Sequence, residues 1–284
     1  MKSQSDILIS APLGQASVYS EHYDPALLFP ISRMPQRQPL GIYDDTALPF
    51  IGHDEWQAFE ISWLNPSGKP NVRIGRFTLS ATSPNLIESK SWKLYLNSYN
   101  QTVFSTEADV IAHMTHDLSD AAGAPVQVVL FDPEAPAFTG CSPEGECIDA
   151  LDVKIEHYLP TPSLLAHAGS GASLVEETLY SHLLKSNCPV TGQPDWGTVI
   201  IHYRGQCIDR RALLAYLISF RQHQDFHEHC VERIFVDIMA RLAPTSLVVS
   251  ARYVRRGGLD INPTRATSAC DLAALPAFSR LLRQ

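Results

Sequence analysis

The residues best suited to chemistry lie in one short run, Ser186-Asn187-Cys188-Pro189-Val190-Thr191-Gly192-Gln193-Pro194-Asp195-Trp196. A deprotonated thiol is a strong nucleophile, and a carboxylic acid beside it can supply a proton to the group under attack. The prolines and glycine after Cys188 impose a tight loop, which can fold back and set Asp195 close to Cys188. Residues 174–186 have helical spacing, with Ser173 and Glu176 placed as a capping box, so a helix is expected to end at Asn187. The negative end of such a helix opposes thiolate formation. A reactive Cys188 then needs a compensating partner, either Asp195 as a base or His227. The competing reading makes Cys188 a small buried residue at a helix end.

Three further segments carry reactive or binding groups. In Glu88-Ser89-Lys90-Ser91-Trp92-Lys93, Ser83 and Pro84 start a helix. Trp92, Tyr95, Leu96 and Tyr99 then share one face, and Lys90, Lys93 and Asn97 the other. Taken alone this is an amphipathic helix with a solvated side; functionally, Glu88 and Lys90 would sit at a pocket mouth. In Phe226-His227-Glu228-His229-Cys230, Glu228 suits a helix first turn without any function. Its carboxylate is also a natural acceptor for two neighbouring N–H donors on a guanine-like ring edge. His227 is either a satisfied histidine or a proton carrier. Arg255-Arg256-Gly257-Gly258 reads as a basic hairpin turn or as a phosphate site, with arginine forks and close backbone approach.

The elements around these segments come in two rounds. Residues 55–64 and 71–82 alternate as strands, 85–99 and 106–121 have helical spacing, and 126–131 and 151–158 return to strand character. After a Pro, Gly and Ser-rich loop from Thr161 to Ser173 come strand 197–204, helices 209–221 and 227–242, and strand 246–254. Strand, two helices and strand thus recur about 140 residues later, which points to two related α+β modules with paired helices on antiparallel sheets. The expected division is an extended, proline-rich arm at 1–54, a module at 55–140 and a second module at 141–284.

Composition narrows the partners. The chain has 284 residues, 45% hydrophobic and 18% charged, with a net charge of −8. That is an ordinary globular balance, and the acidity disfavours direct binding to nucleic acid. Lys2, Ile7 to Ile9 and Pro12 make no secretory leader, and Ala212 to Phe220 is about half a bilayer span. The expectation is a cytoplasmic protein, away from membranes, whose six cysteines are free thiols.

Together the four segments resemble the 7-cyano-7-deazaguanine reductases, the NADPH-dependent nitrile reductases of queuosine biosynthesis, in their long two-module form. The likeness runs from Trp63-Leu64-Asn65 to Asp260-Ile261-Asn262-Pro263. It implies an α+β protein of two tandem tunnelling-fold modules, assembled as a homodimer. It also implies a covalent thioimide on Cys188, with Asp195 as proton donor. Ile87, Glu88, Ser89, His227 and Glu228 would hold the small deazaguanine substrate. Ser89, Lys90, Arg256 and Gly257 would hold NADPH, two molecules per turnover, with no metal. A zinc-dependent cyclohydrolase of the same fold is the nearest rival, drawing on His223, His227, His229 and Cys230. A non-catalytic nucleobase-binding module is the second.

Overall fold

A computed structural model describes residues 19–274 and 280–284, so part of the expected arm, with the leader-like segment, lies outside the described residues. The chain divides into two compact units. Among the described residues the first comprises 19–46, 53–138 and 255–261, and the second 47–52, 139–254, 262–274 and 280–284.

In the first unit, β2 (Ile51–Leu64) and β3 (Pro70–Ser80) form a long antiparallel hairpin. β5 (Val126–Phe131) lies antiparallel on the other side of β3. Two helices, α1 (Ser89–Ser98) and α2 (Glu107–Ala122), cover one face of this sheet. Trp56 stacks on Trp92 with ring centroids 4.1 Å apart. Phe77, Tyr95, Val110, Met114 and Leu118 fill the same buried cluster. The proline-rich segment contains a short strand β1 (Pro30–Ser32), paired with β4 (Asn85–Ile87), and a helical turn Met34–Arg37. It is fastened by Arg33, whose guanidinium donates to Asp54 at 2.6 Å with both side chains fully buried.

The second unit repeats this plan. β7 (Leu174–Asn187) and β8 (Pro194–Gln206) form its hairpin. α3 (Arg210–Ile218) and α4 (His227–Leu242) follow, then β9 (Ser246–Tyr253), antiparallel to β8. β10 (Leu259–Ala266) pairs with β9, and the two-residue β6 (Glu146–Cys147) runs parallel to β7. Both α+β units thus have antiparallel hairpins and paired helices, the class expected from the sequence. The offset between them is about 120 residues rather than about 140, because each repeat begins with its hairpin.

Three elements differ from the sequence reading. Residues 174–186 are a strand, not a helix, and Ser173 caps nothing. The cause is a β-bulge between Ser181 and Leu184. It breaks the two-residue alternation and leaves Leu179, Leu183 and Leu184 at helix-like spacing. Residues 85–87 are strand β4, and α1 starts at Ser89 with Glu88 as its N-cap. Residues 151–158 alternate in sequence but join no strand ladder.

Candidate active site

The correction at β7 changes the setting of Cys188. Residues 174–187 form a strand, so the dipole expected from a helix over them is absent. Cys188 follows the last residue of β7, and its N–H donates to the Gln193 carbonyl at 2.8 Å. The Gly192 N–H returns to the Cys188 carbonyl at 3.0 Å. Gly192 takes φ 68°, a left-handed value that glycine adopts without strain. The turn is closed by these backbone bonds and by the Thr191 hydroxyl, which accepts from the Gln193 N–H at 3.3 Å, so the Cys188 side chain is not used to hold it.

Strand register places the acid. Ser186 is directly opposite Asp195, and the Cys188–Gln193 bond continues that ladder. Alternate residues of a strand share a face, so Ser186, Cys188 and Asp195 point the same way. Cys188 and Asp195 then stand as diagonal cross-strand neighbours, about 7–8 Å apart at the backbone. Both are 5% exposed.

Asp195 is met from α4, where His227 Nε2 stands 3.2 Å from its Oδ1. The imidazole lies flat on Tyr253, with ring centroids 3.9 Å apart. Tyr253 is fully enclosed, and its hydroxyl is pushed well above its ordinary pKa by burial, with the neighbouring Cys230 and Asp195 adding to the effect. Burial likewise raises the Cys230 thiol. Sequence reasoning missed Tyr253, because an aromatic in an apolar strand has no local mark of a site. Its only signal was a tyrosine just before the Arg-Arg-Gly-Gly turn.

Glu228 is buried in the first turn of α4. Next to the hairpin, Asn187 is gripped on both sides: its N–H donates to the His223 carbonyl and its carbonyl accepts from the Asp225 N–H. The Asp225 carboxylate lies between His223 and His229, at 3.5 and 3.4 Å. Burial works to raise its pKa, but the two imidazoles outweigh it and hold the group below the usual carboxylate range. The four residues of the suggested zinc cluster thus serve different partners: His223 and His229 face Asp225, His227 faces Asp195, and Cys230 lies against Ser186 and Tyr253.

The other site residues belong to the first unit. Ile87 is buried at the end of β4. Glu88 caps α1, accepting from the Lys90 and Ser91 N–H groups at 2.8 Å each. Its pKa is raised by burial, against the pull of those hydrogen bonds. Arg256 and Leu259 close a tight turn over Gly257 and Gly258, at φ 59° and 79°. Lys93 Nζ donates to the Gly257 carbonyl at 2.6 Å, which joins α1 to this turn. Ser89 and Lys90 open α1, and Arg256 opens the turn, so the expected cofactor residues come together in one unit. Hydroxyl and two cations suit a phosphate-bearing, anionic cofactor such as NADPH. The Lys90 and Ser91 N–H groups of α1 are already taken by Glu88.

Two α+β units of one plan, one of them carrying a thiol and an acid on a single hairpin face, make an architecture suited to covalent catalysis at an unsaturated carbon. Residues 19–130 match the family described as nitrile reductase, 7-cyano-7-deazaguanine-reductase N-term, and residues 194–271 match QueF-like protein. An NADPH-dependent 7-cyano-7-deazaguanine reductase from Chromohalobacter salexigens is 62% identical over 94% of this chain and 95% of its own length. Proteins of the same name are each 55% identical: that of Dechloromonas aromatica covers 97% of this chain and 95% of itself, and that of Chromobacterium violaceum 93% of each. The chain belongs to the NADPH-dependent 7-cyano-7-deazaguanine reductase family.

Proposed function

We propose that this reductase converts the nitrile of 7-cyano-7-deazaguanine to an aminomethyl group through a covalent bond to Cys188, a step toward queuosine in tRNA. The observation that supports this reading is the register that sets Cys188 and Asp195 on one buried face, with His227 on Asp195. The Cys188 sulfur adds to the nitrile carbon, and the π electrons move to nitrogen. The thiol proton passes to Asp195 and on to that nitrogen, giving a neutral thioimide with no net proton uptake. His227 holds Asp195 in line and steadies its charge between the two transfers. Burial of both groups keeps water from the thioimide.

NADPH, when bound, supplies hydride, and the four-electron change from nitrile to amine takes two. Ser89, Lys90, Arg256 and Gly257 would hold it. Cys188 must leave the carbon before the amine is complete, so the same sulfur serves as nucleophile and leaving group. For the deazaguanine the second unit offers Glu228 and His227, and the first unit offers Ile87, Glu88 and Ser89. The carboxylates accept its ring N–H groups. A cytoplasmic setting fits the six free cysteines, and the assembly is a homodimer; among the described residues no helix is long and apolar enough to cross a membrane.

Incubation with the nitrile and no NADPH should give one substrate adduct by intact mass, mapping to Cys188 and missing from Cys188→Ala. Unchanged NADPH oxidation by Cys188→Ala would overturn the covalent route.

A further inference from the structure

The loop before the second hairpin, with Cys141 and Cys147, takes no part in the proposed chemistry. It nevertheless brings three metal-ligating side chains together. β6 runs parallel to β7 and pairs Cys147 with Tyr180; the Ile148 N–H then donates to the Tyr180 carbonyl at 3.0 Å. This carries Asp149 alongside Ser181 and His182. One ligand atom from each of Cys147, Asp149 and His182 lies within 4.8 Å of the others.

We propose that Cys147, Asp149 and His182 form a zinc site, with water as the fourth ligand. The site would be structural and independent of Cys188, from which His182 is separated by about six residues of extended strand, or roughly 20 Å. Thiolate, imidazole and carboxylate together are a donor set suited to zinc, while magnesium and calcium favour oxygen alone.

The surroundings are already arranged as a second layer of hydrogen bonds. His182 Nδ1 faces the Thr198 hydroxyl at 2.8 Å, which leaves Nε2 to meet a metal. Asp149 is fixed by the Ser181 hydroxyl at 2.6 Å and the His182 N–H at 3.0 Å. The bulge at Ser181 and Leu184 encloses His182 and re-aims it out of the ordinary alternation. Around tetrahedral zinc, ligand atoms stand about 3.3–3.8 Å apart. Closing from 4.8 Å or less asks only a side-chain adjustment, and Cys147 is exposed and able to make it. Binding releases the thiol proton to solvent as the sulfur–zinc bond forms.

The test uses the full-length protein, stripped with a chelator and titrated with zinc or cobalt(II). Wild type should take up one equivalent, raise its melting temperature, and show thiolate-to-cobalt charge-transfer absorption in the near ultraviolet. Cys147→Ser should lose the absorption, and His182→Gln should bind at least about 100-fold more weakly. Thr198→Val keeps all three ligands and should weaken binding about 10- to 100-fold through loss of orientation. All three variants should keep nitrile reduction. No stoichiometric uptake by folded wild type, or an unchanged cobalt spectrum in Cys147→Ser, would overturn the site.

Discussion

The two units make the same turn at the end of their hairpins and hold it by different means. β2 and β7 are each fourteen residues long and bulge at the same place, Ala58 to Ile61 in one and Ser181 to Leu184 in the other. Each strand end is gripped identically: Leu64 by Thr102 and Phe104, Asn187 by His223 and Asp225. The next residue is Asn65 in the first unit and Cys188 in the second, each followed by proline. Asn65 closes its turn with its side chain, whose Oδ1 accepts from the Ser67 and Lys69 N–H groups. Cys188 joins its turn through its own backbone alone, so a side chain of different chemistry can stand there. The starts of the second helices differ in the same sense. Thr106 and Asp109 cap α2 with a reciprocal box, whereas α4 opens on Phe226, which has no capping group, and places His227 and Glu228 in its first turn. One copy keeps the local devices that stabilise the fold, and the other gives them up at the positions of the proposed chemistry.

The most severe test of that contrast is the proposed nucleophile. Cys188→Ala should lower nitrile reduction by at least about a thousandfold. Asn65→Cys in the same protein should restore none of it, since the first hairpin has Asn71 at the position that corresponds to Asp195; steady-state rates decide both. Asp195→Asn should cost about 10²–10⁴-fold in kcat through loss of proton transfer, while melting temperature reports whether the fold is intact. At the first helices the comparison is between two capping carboxylates. Asp209 accepts from the Arg211 and Ala212 N–H groups as Glu88 does from Lys90 and Ser91. Both Asp209→Ala and Glu88→Ala should cost about 1 kcal/mol of stability, but only Glu88→Ala should also raise KM for the nitrile. If Asp209→Ala matches it in KM, the first unit holds no special binding role.

Two smaller effects refine the picture. Tyr95 donates to Asp117 at 2.6 Å and Tyr216 to Asp237 at 2.7 Å, an equivalent pair in each unit, buried in the first and partly buried in the second. Tyr95→Phe and Tyr216→Phe should each cost about 1.5–3 kcal/mol, and the double variant should be additive in urea denaturation if the units are energetically separate. Asp225 replaces the apolar Phe104 of the first unit. Its folded pKa lies below the unfolded value, so its contribution is complete above about pH 4 and is lost as pH falls through the folded value. The stability gap between wild type and Asp225→Asn should therefore narrow below that pH.

Much of this was legible in the sequence. The Pro and Gly pattern after Cys188 marked a turn able to return Asp195 to the thiol, and the helices at 107–122 and 227–242 showed their periodicity plainly. What was hidden depended on pairing. The bulge in β7 made a strand look like a helix, and the correspondence of Asn65 with Cys188 appears only when both hairpins are in register. Tyr253 under His227 is a contact between distant segments, which no local spacing announces. The Cys147, Asp149 and His182 group was illegible for the same reason, since its members meet through a two-residue parallel strand.

The backbone bonds across the Cys188 turn also set a limit on how this protein can change. One residue added or lost between Pro189 and Gln193 would slip the ladder by a single step and turn sulfur and carboxylate to opposite sides of the ribbon. Loop length, normally the freest trait of a protein surface, is here as constrained as the identity of the proposed nucleophile.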